Sequence, residues 1–327
     1  MFKLNLRLFD TQVTTQGSLS AEMKTFYEDT LIDSAEPKLV HDQFGDKYPI
    51  PKNNGKTIEF RKYSPLAKAT TPLTEGVTPA GNSLSVSTIT ATVDQYGDYI
   101  KLSDMLELSA IDNNVVQSTK LLGGQSGRTL DTVTREVLNA GTNVLYADNG
   151  TEVLSRATLT KDCALNVDII FRAAAQLEAM NADGVDGNEY VAIIHPYAAY
   201  DLMRCEEWID VHKYAAPENI YNGEIGKLGN VRFVKSTEAK IFKGDGCPAG
   251  LAVFSTIVLG AHAYAVTEIT GGGLQHIVKQ LGYGDDPLNQ RSSVGWKAIK
   301  TAEILTQEYM VRIESCSPVY SAKAEAN

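Results

Sequence analysis

Residues 57–93 read TIEFRKYSPLAKATTPLTEGVTPAGNSLSVSTITATV, with two strand-like runs on either side of a long insertion. The first run, residues 57–63, alternates apolar and polar side chains, which is typical of a half-buried strand. In the second run, residues 84–93, β-branched residues dominate and favour an extended backbone. The pattern predicts a β-hairpin whose strands are separated by residues 64–83.

This insertion is too long for an ordinary hairpin turn. It is rich in proline and glycine, and its only large apolar side chains are Leu66, Leu73 and Val77. Such a segment cannot build a core of its own. Connections of this length inside a compact domain are usually functional or ordered by a partner. We therefore expect it to reach outward, with a plain surface loop as the alternative.

Helices are predicted on both sides of the hairpin. A polar arm over residues 1–17 and a short amphipathic helix that Pro37 ends precede it. A long helix that opens at Ser103 or Asp104 and runs through Ala140 follows it. Each interior glycine costs about 1 kcal/mol relative to alanine, so we expect a break or kink in the middle of the long helix. The glycines there are Gly123, Gly124 and Gly127.

The second half of the chain mixes strands with short helices. We expect a helix over residues 168–180, a buried strand over 190–194, and a second helix over 196–208 that begins at a proline. Residues 251–269 are apolar, but they carry charge and many β-branched residues, so they predict buried strands and not a membrane span. A last strand near residues 309–313 precedes a frayed tail. This mixture defines an α+β fold.

The chain carries 30 Lys and Arg against 40 Asp and Glu, a net charge of −10. Proteins that grip DNA depend on Lys and Arg to displace counterions, so this balance argues against such a task. It is compatible with enclosing DNA without adhesion to it. The four cysteines are widely spaced, which indicates neither a disulfide framework nor a zinc site and fits a reduced cytoplasmic compartment.

Searches for catalytic and ligand motifs lead to no site. Gly55-Lys56-Thr57 resembles the end of a phosphate-binding loop, but Ile50 stands where the first glycine belongs. The polar run 181–189 resembles a calcium loop in content, yet Val185 occupies the third ligand position. No Gly-x-Ser-x-Gly sequence is present, and no two histidines are spaced to chelate a metal. We therefore expect no cofactor, no metal and no enzymatic activity.

The order of these elements, an arm, a helix, a long hairpin, a long helix and then helix, strand, proline and helix, resembles the Hong Kong-97 type fold of tailed-bacteriophage major capsid proteins. Particular phrases are similar to the branch named after coliphage N-four: DPLNQR at 286–291, VGWK at 294–297 and YMVRIE at 309–314. The resemblance implies an N-terminal arm and short helix, an extended loop, a peripheral domain with a long spine helix, and an axial domain. The implied boundaries are 1–47 for the arm, 48–102 for the loop, 103–160 with 268–327 for the peripheral domain, and 161–267 for the axial domain.

The same resemblance implies a shell protein. Copies would form the pentamers and hexamers of an icosahedral capsid in the virion, assembled in the bacterial cytoplasm around double-stranded DNA that is bound without sequence specificity. A portal and a decoration protein are implied partners. The arm is too short to be a scaffold itself, so the resemblance implies either a separate scaffolding protein or none. On the extended loop, the implied contacts to a neighbouring subunit are Leu66, Lys68, Leu73 and Val77.

Lys68 occupies a place comparable to that of the cross-linking lysine of the type member. Its asparagine and glutamate partners are not identifiable here, so we do not expect covalent cross-linking. Two other classes of function stay open at this point. One is an encapsulin-type compartment shell that encloses a cargo enzyme, and the other is a soluble α+β nucleotide-binding enzyme.

Overall fold

The computed structural model describes residues 40–78, 80–109, 114–185, 187–209, 226–244, 246–282 and 286–327. The predicted arm and first helix lie outside the described residues. The described residues form helices and strands in an α+β fold. Two single-turn 3-10 helices, Arg156–Thr158 and Gln307–Tyr309, connect larger elements.

The predicted hairpin is confirmed. Its strands are β2 (Thr57–Tyr63) and β3 (Val86–Thr92), which pair antiparallel from Thr57 opposite Thr92 to Tyr63 opposite Val86. Successive side chains of a strand point to opposite faces, and one face of this hairpin is less exposed than the other. The side chains on the less exposed face are Ile58, Phe60, Ile89 and Ala91.

A five-stranded sheet follows the hairpin. It contains β1 (Asp46–Lys47), β4 (Asp94–Ser103), β11 (Tyr264–Thr267), β12 (Gln275–Lys279) and the long strand β13 (Arg291–Ile304). One edge of β13 pairs with β4, and the other pairs with β12 and β11, to which β1 adds in parallel. Strands β4 and β13 were not predicted from the sequence, and nearly all of β4 lies within the residues assigned to the extended loop.

Helical structure begins at Asp104, as predicted, with α1 (Asp104–Ser109) and α2 (Asn114–Asn139). Residues 110–113 lie outside the described residues. The predicted break at the glycines is wrong, because α2 continues through them. Leu122, directly before Gly123, and Ser126, between Gly124 and Gly127, are buried against the body of the protein. This packing outweighs the roughly 1 kcal/mol that each interior glycine costs.

The second sheet has seven strands in the order β5, β14, β10, β6, β8, β7, with β9 paired to β10 at its far end. Strands β6, β10 and β14 are buried along their whole length, as is typical of central strands covered on both faces. The strands are β5 (Val144–Tyr146), β6 (Tyr190–Ile194), β7 (Lys227–Leu228), β8 (Val231–Lys235), β9 (Ile241–Phe242), β10 (Val253–Leu259) and β14 (Met310–Ser315).

Two helices, α3 (Val167–Ala179) and α4 (Pro196–Met203), pack with this sheet around the largest core cluster. Local sequence explains where each begins. The side chain of Asn166 accepts a hydrogen bond from the Ile169 amide at 2.9 Å, a normal N-cap. Pro196 occupies the first turn of α4, where no backbone donor is needed. The helix predicted over 168–180 and the strands over 190–194 and 251–269 are therefore confirmed. The helix predicted over 196–208 begins where expected but ends at Met203.

The last strand and the tail after it both pack with the second sheet. The sequence boundaries placed β10 and β14 in different domains, whereas the two strands pair in one sheet. The tail after β14 is not frayed, because Tyr320 stacks on Tyr197 with ring centroids 4.2 Å apart. The Asn327 side chain accepts from the Ile241 amide at 2.9 Å, so the last residue is also held.

Candidate functional site

The hairpin contacts the body of the protein near its strands. The rings of Tyr48 and Phe60 meet edge-on with centroids 5.4 Å apart. Lys62 Nζ lies 3.4 Å from Glu308 Oε2, and both side chains are about half exposed. An exposed ion pair of this kind contributes little, typically ~0–1 kcal/mol. The body therefore holds the hairpin only lightly.

Beyond the strands, residues 64–85 form a projecting segment that we call the tip. Leu66, Leu73 and Val77 are 58%, 77% and 63% exposed, and Lys68 is exposed as well. The backbone hydrogen bonds of the tip close turns among its own residues. Within the part of the chain that the structure describes, no tip side chain forms a hydrogen bond or ion pair. The four residues expected from the sequence are thus exposed, and none of their side chains forms a hydrogen bond or ion pair with another described residue.

A second surface, which the sequence did not reveal, is the outer face of the sheet formed by β4, β13 and β12. Helix α2 packs on the opposite face, against Val294, Trp296 and Ala298. On the outer face, Tyr99 and Ile277 lie on either side of Gly295. A methyl group on Gly295 would lie 2.7 Å from the Tyr99 Cβ, so a residue larger than glycine does not fit at this position.

The outer face holds a depression of about 460 Å³, which we call the trough. In the next row of the sheet, Lys101 and Lys279 lie on either side of Ser293. A further depression of about 220 Å³ continues from these lysines to Arg291. Lys297 lies on the same face by strand alternation. Lys101, Arg291 and Lys297 form no ion pair with a carboxylate among the described residues. Asp98 and Asp286 also line the two depressions, so the trough carries charges of both signs.

A buried polar cluster fixes the segment before β1 to α2 and β13. Asp42 accepts a hydrogen bond from Thr134 Oγ1 at 2.5 Å and pairs with Lys300. His41 Nδ1 lies 2.7 Å from Asp131 Oδ2, with both side chains almost fully buried. These contacts offset part of the desolvation penalty of the buried groups. His41 Nε2 is buried without a hydrogen-bond partner among the described residues.

A second buried cluster lies where β14 meets the loop before α3. The carboxylate of Glu314 is fully buried and lies 2.6 Å from Arg156 Nη2 and 2.9 Å from Arg312 Nε. The hydrogen bond to Glu314 raises the pKa of Arg156, whereas burial lowers the pKa of Arg312. The Arg156 guanidinium also stacks 3.7 Å from the Phe242 ring centroid. Glu314 is therefore the shared anion of two arginines.

Three of the described histidines occupy structural positions. His41 pairs with Asp131, and His262 pairs with Asp46 at 2.7 Å. His195 caps α4, because its Nδ1 accepts from the Tyr197 amide at 3.2 Å. Burial lowers the pKa of His195 to about 4, since a charged ring would lose its hydration there.

The pKa of His195 predicts a loss of stability in mild acid. Between pH 6.5 and 4 the unfolded chain binds a proton that the folded chain refuses, so stability falls as pH falls through this window. The loss attributable to this one group is about 2–3 kcal/mol. Thermal melts from pH 7 to 4 should show a smaller decline for His195→Asn, because asparagine can still cap the helix without titrating. Parallel declines for both proteins would contradict the prediction.

The cysteines are structural residues that form no disulfide bond. All four cysteines are free thiols, and Cys163 and Cys316 are neighbours through a 2.8 Å backbone hydrogen bond. Burial raises the pKa of Cys316 to about 12, which makes this thiol a poor nucleophile.

In the described ranges, no three His, Cys, Asp or Glu side chains are grouped to hold a metal. None of the described helices is long and apolar enough to cross a membrane.

Comparison with solved structures identifies the architecture. The capsid of Ralstonia phage GP4 is similar with a TM-score of 0.68 and 16% identity, over 97% of this chain and 100% of that one. The capsid structure of cyanophage P-SCSP1u gives 0.68 and 14%, over 90% and 93%. The cyanophage Pam1 capsid gives 0.67 and 13%, over 91% and 98%.

No protein-family model matches the sequence. No curated protein matches it either. At these low identities the structural similarity defines the fold, and the chain has the α+β fold of bacteriophage capsid proteins.

Proposed function

We propose that the chain is the major capsid protein of a tailed bacteriophage or prophage. Copies would assemble into the pentamers and hexamers of an icosahedral shell that encloses double-stranded DNA. The observation that carries this proposal is the match to phage capsids over nearly the whole of both chains. The solved structures compared above are all phage capsids, which favours this function over a compartment shell or an enzyme.

The proposed subdomains follow the Hong Kong-97 type pattern. Residues 48–102 form the extended loop, residues 103–160 with 268–327 form the peripheral domain around the spine helix α2, and residues 161–267 form the axial domain. Strands β5 and β14 belong to the peripheral segments. They join these segments to the axial sheet, because β14 pairs with both β5 and β10. Residues 1–47 supply the arm.

The proposed contact between subunits is the tip, through Leu66, Lys68, Leu73 and Val77. Ordering a backbone segment costs about 1–2 kcal/mol per residue. No tip side chain forms a hydrogen bond or ion pair with the rest of the described residues, which supports an intermolecular role. The net charge of −10 is compatible with a shell that encloses DNA without holding it. The virion location, assembly in the host cytoplasm, and scaffold, portal and decoration partners belong to the same proposal.

Shell building predicts that the purified chain associates into particles far heavier than a monomer. Subunits in a closed shell use heterologous contacts that symmetry repeats. Light scattering and negative-stain microscopy across salt, pH and crowding conditions should show capsomers or closed shells. A sharp monomer peak under all of these conditions would count against the capsid function.

A further inference from the structure

Two Asn-Gly pairs lie in the described part of the chain, Asn54-Gly55 and Asn149-Gly150. We propose that Asn54 is a modification site, at which the side-chain amide is lost without an enzyme and an aspartyl or isoaspartyl residue takes its place. The site lies in the turn directly before β2, where the hairpin leaves the body of the protein. The inference concerns the chemistry of this chain itself and does not depend on the capsid function.

The reaction needs only the neighbouring backbone and water. The backbone nitrogen of Gly55 loses its proton and attacks the side-chain carbonyl carbon of Asn54. A new C–N bond forms, the bond to the side-chain nitrogen breaks, and this nitrogen leaves as ammonia. Water then opens the cyclic imide at either of its carbonyl groups, which gives aspartate or isoaspartate. Glycine favours the attack because it has no Cβ beside the attacking nitrogen.

The turn leaves the attacking nitrogen accessible. Asn54 and Gly55 are both exposed, and a Cβ built on Gly55 would meet no atom within 4 Å. The turn is closed one residue earlier, by the hydrogen bond from the Asn54 amide to the Pro51 carbonyl at 3.2 Å. Among the described residues, the Gly55 amide donates to no acceptor. Solvent base can therefore reach its proton.

Nearby charge also favours loss of this proton. Lys52 and Lys56 lie on either side of the Asn-Gly pair in sequence, and both are exposed. A positive charge close to an amide stabilises the anion that forms when the proton leaves. The turn thus combines an accessible nitrogen, a residue without Cβ and two cations.

The pair Asn149-Gly150 provides the contrasting case. It is equally exposed, but the Gly150 amide donates to Asp148 Oδ1 at 3.3 Å. Arg172 Nη2 holds the other oxygen of this carboxylate at 2.5 Å. A carboxylate that accepts the amide proton keeps it on the nitrogen, and its negative charge disfavours an amide anion. We therefore expect Asn54 to convert well before Asn149.

Conversion changes the root of the hairpin. Aspartate adds a negative charge to the turn, and isoaspartate lengthens its main chain. The Lys56 carbonyl, which follows this turn, accepts from the Val93 amide at 2.9 Å, next to the first ladder pair of Thr57 and Thr92. The product therefore lies beside the backbone bonds that fix where the hairpin begins.

Storage of the full-length protein in warm, mildly alkaline buffer tests the order of conversion. Peptide mass mapping after digestion in acid follows the loss of each unmodified asparagine, and an isoaspartyl methyltransferase labels the isoaspartyl product. The Asn54 peptide should lose most of its unmodified form while the Asn149 peptide keeps most of its own. Asn54→Gln should abolish the loss at this position, because a glutamine side chain closes a larger ring more slowly.

Asp148→Ala isolates the cause of the difference. Without the carboxylate, conversion of Asn149 should become faster, while conversion of Asn54 stays unchanged. Asp168→Ala is the matched control, since it also removes an ion pair of Arg172, at 2.9 Å, but leaves the Gly150 amide donating to Asp148. In this control Asn149 should stay slow, and thermal melts of both variants report that they are folded.

Equal conversion of the two pairs in the wild-type protein would overturn the proposal. So would an Asn54 that stays intact while an unfolded peptide of the same sequence converts. Conversion of Asn149 that is no faster in Asp148→Ala than in Asp168→Ala would show that the carboxylate contact does not protect this pair, and the argument that ranks the two sites would fail.

Discussion

A chain with a shortened tip should fold normally and yield few or no closed shells. In this variant Ser64 and Ser85 are joined by Asn-Gly, and residues 65–84 are removed. The Ser64 amide already donates to the Ser85 carbonyl at 3.0 Å, directly after the last ladder pair. A two-residue Asn-Gly turn therefore closes the hairpin without changing its register.

The reason to expect a folded monomer is that the tip adds nothing to the cores. Its large apolar side chains are exposed, and its backbone hydrogen bonds stay within the tip. Circular dichroism and thermal melting should show a cooperative transition close to that of the wild type. Sedimentation should show that particles are lost. Loss of the cooperative melt would instead mean that the tip belongs to the monomer core.

A second variant separates the length of the tip from its chemistry. It keeps every residue of the tip except Leu66, Leu73 and Val77, which become serine. If apolar contacts between copies hold the tip, this full-length variant should also assemble poorly, because each buried leucine or valine contributes about 1.5–3 kcal/mol. Normal shells from the shortened chain would refute the assigned role of the hairpin.

Glu314→Gln should lower the free energy of unfolding by about 3–5 kcal/mol, the largest expected effect of a single substitution on stability. Glutamine is close to glutamate in size, so packing is preserved. What changes is the charge, because Arg312 and Arg156 lose the anion that they share. The side chain of Arg312 is 9% exposed and cannot recover hydration without local opening.

Chemical denaturation of the monomer measures this loss. Glu325→Gln is the control, since Glu325 pairs with Lys243 at 2.8 Å but is 82% exposed. The control should change stability by less than about 1 kcal/mol. Equal small effects of the two substitutions would show that the Glu314 cluster is not a stabilising centre.

The sequence by itself determined the elements whose signals are local. Alternation in residues 57–63 and the β-branched run before residue 93 specify the hairpin strands, because a period of two can bury only one side. The caps and period of α3 and the proline at the start of α4 are equally local. The exposed character of the tip also followed from its composition, which provides too little apolar surface to bury.

Only the tertiary structure decided the features that depend on distant partners. Strand β13 pairs with β4 nearly two hundred positions away, so its own sequence does not specify its partner. The glycines of α2 are tolerated because β13 and the body pack beside them. Glu314 and its two arginines are separated in sequence, so their shared burial is invisible before folding. The trough arises in the same way, since Lys101, Lys279 and Arg291 become neighbours only when their strands pair, and pairing is a contact free energy between segments that no local pattern records.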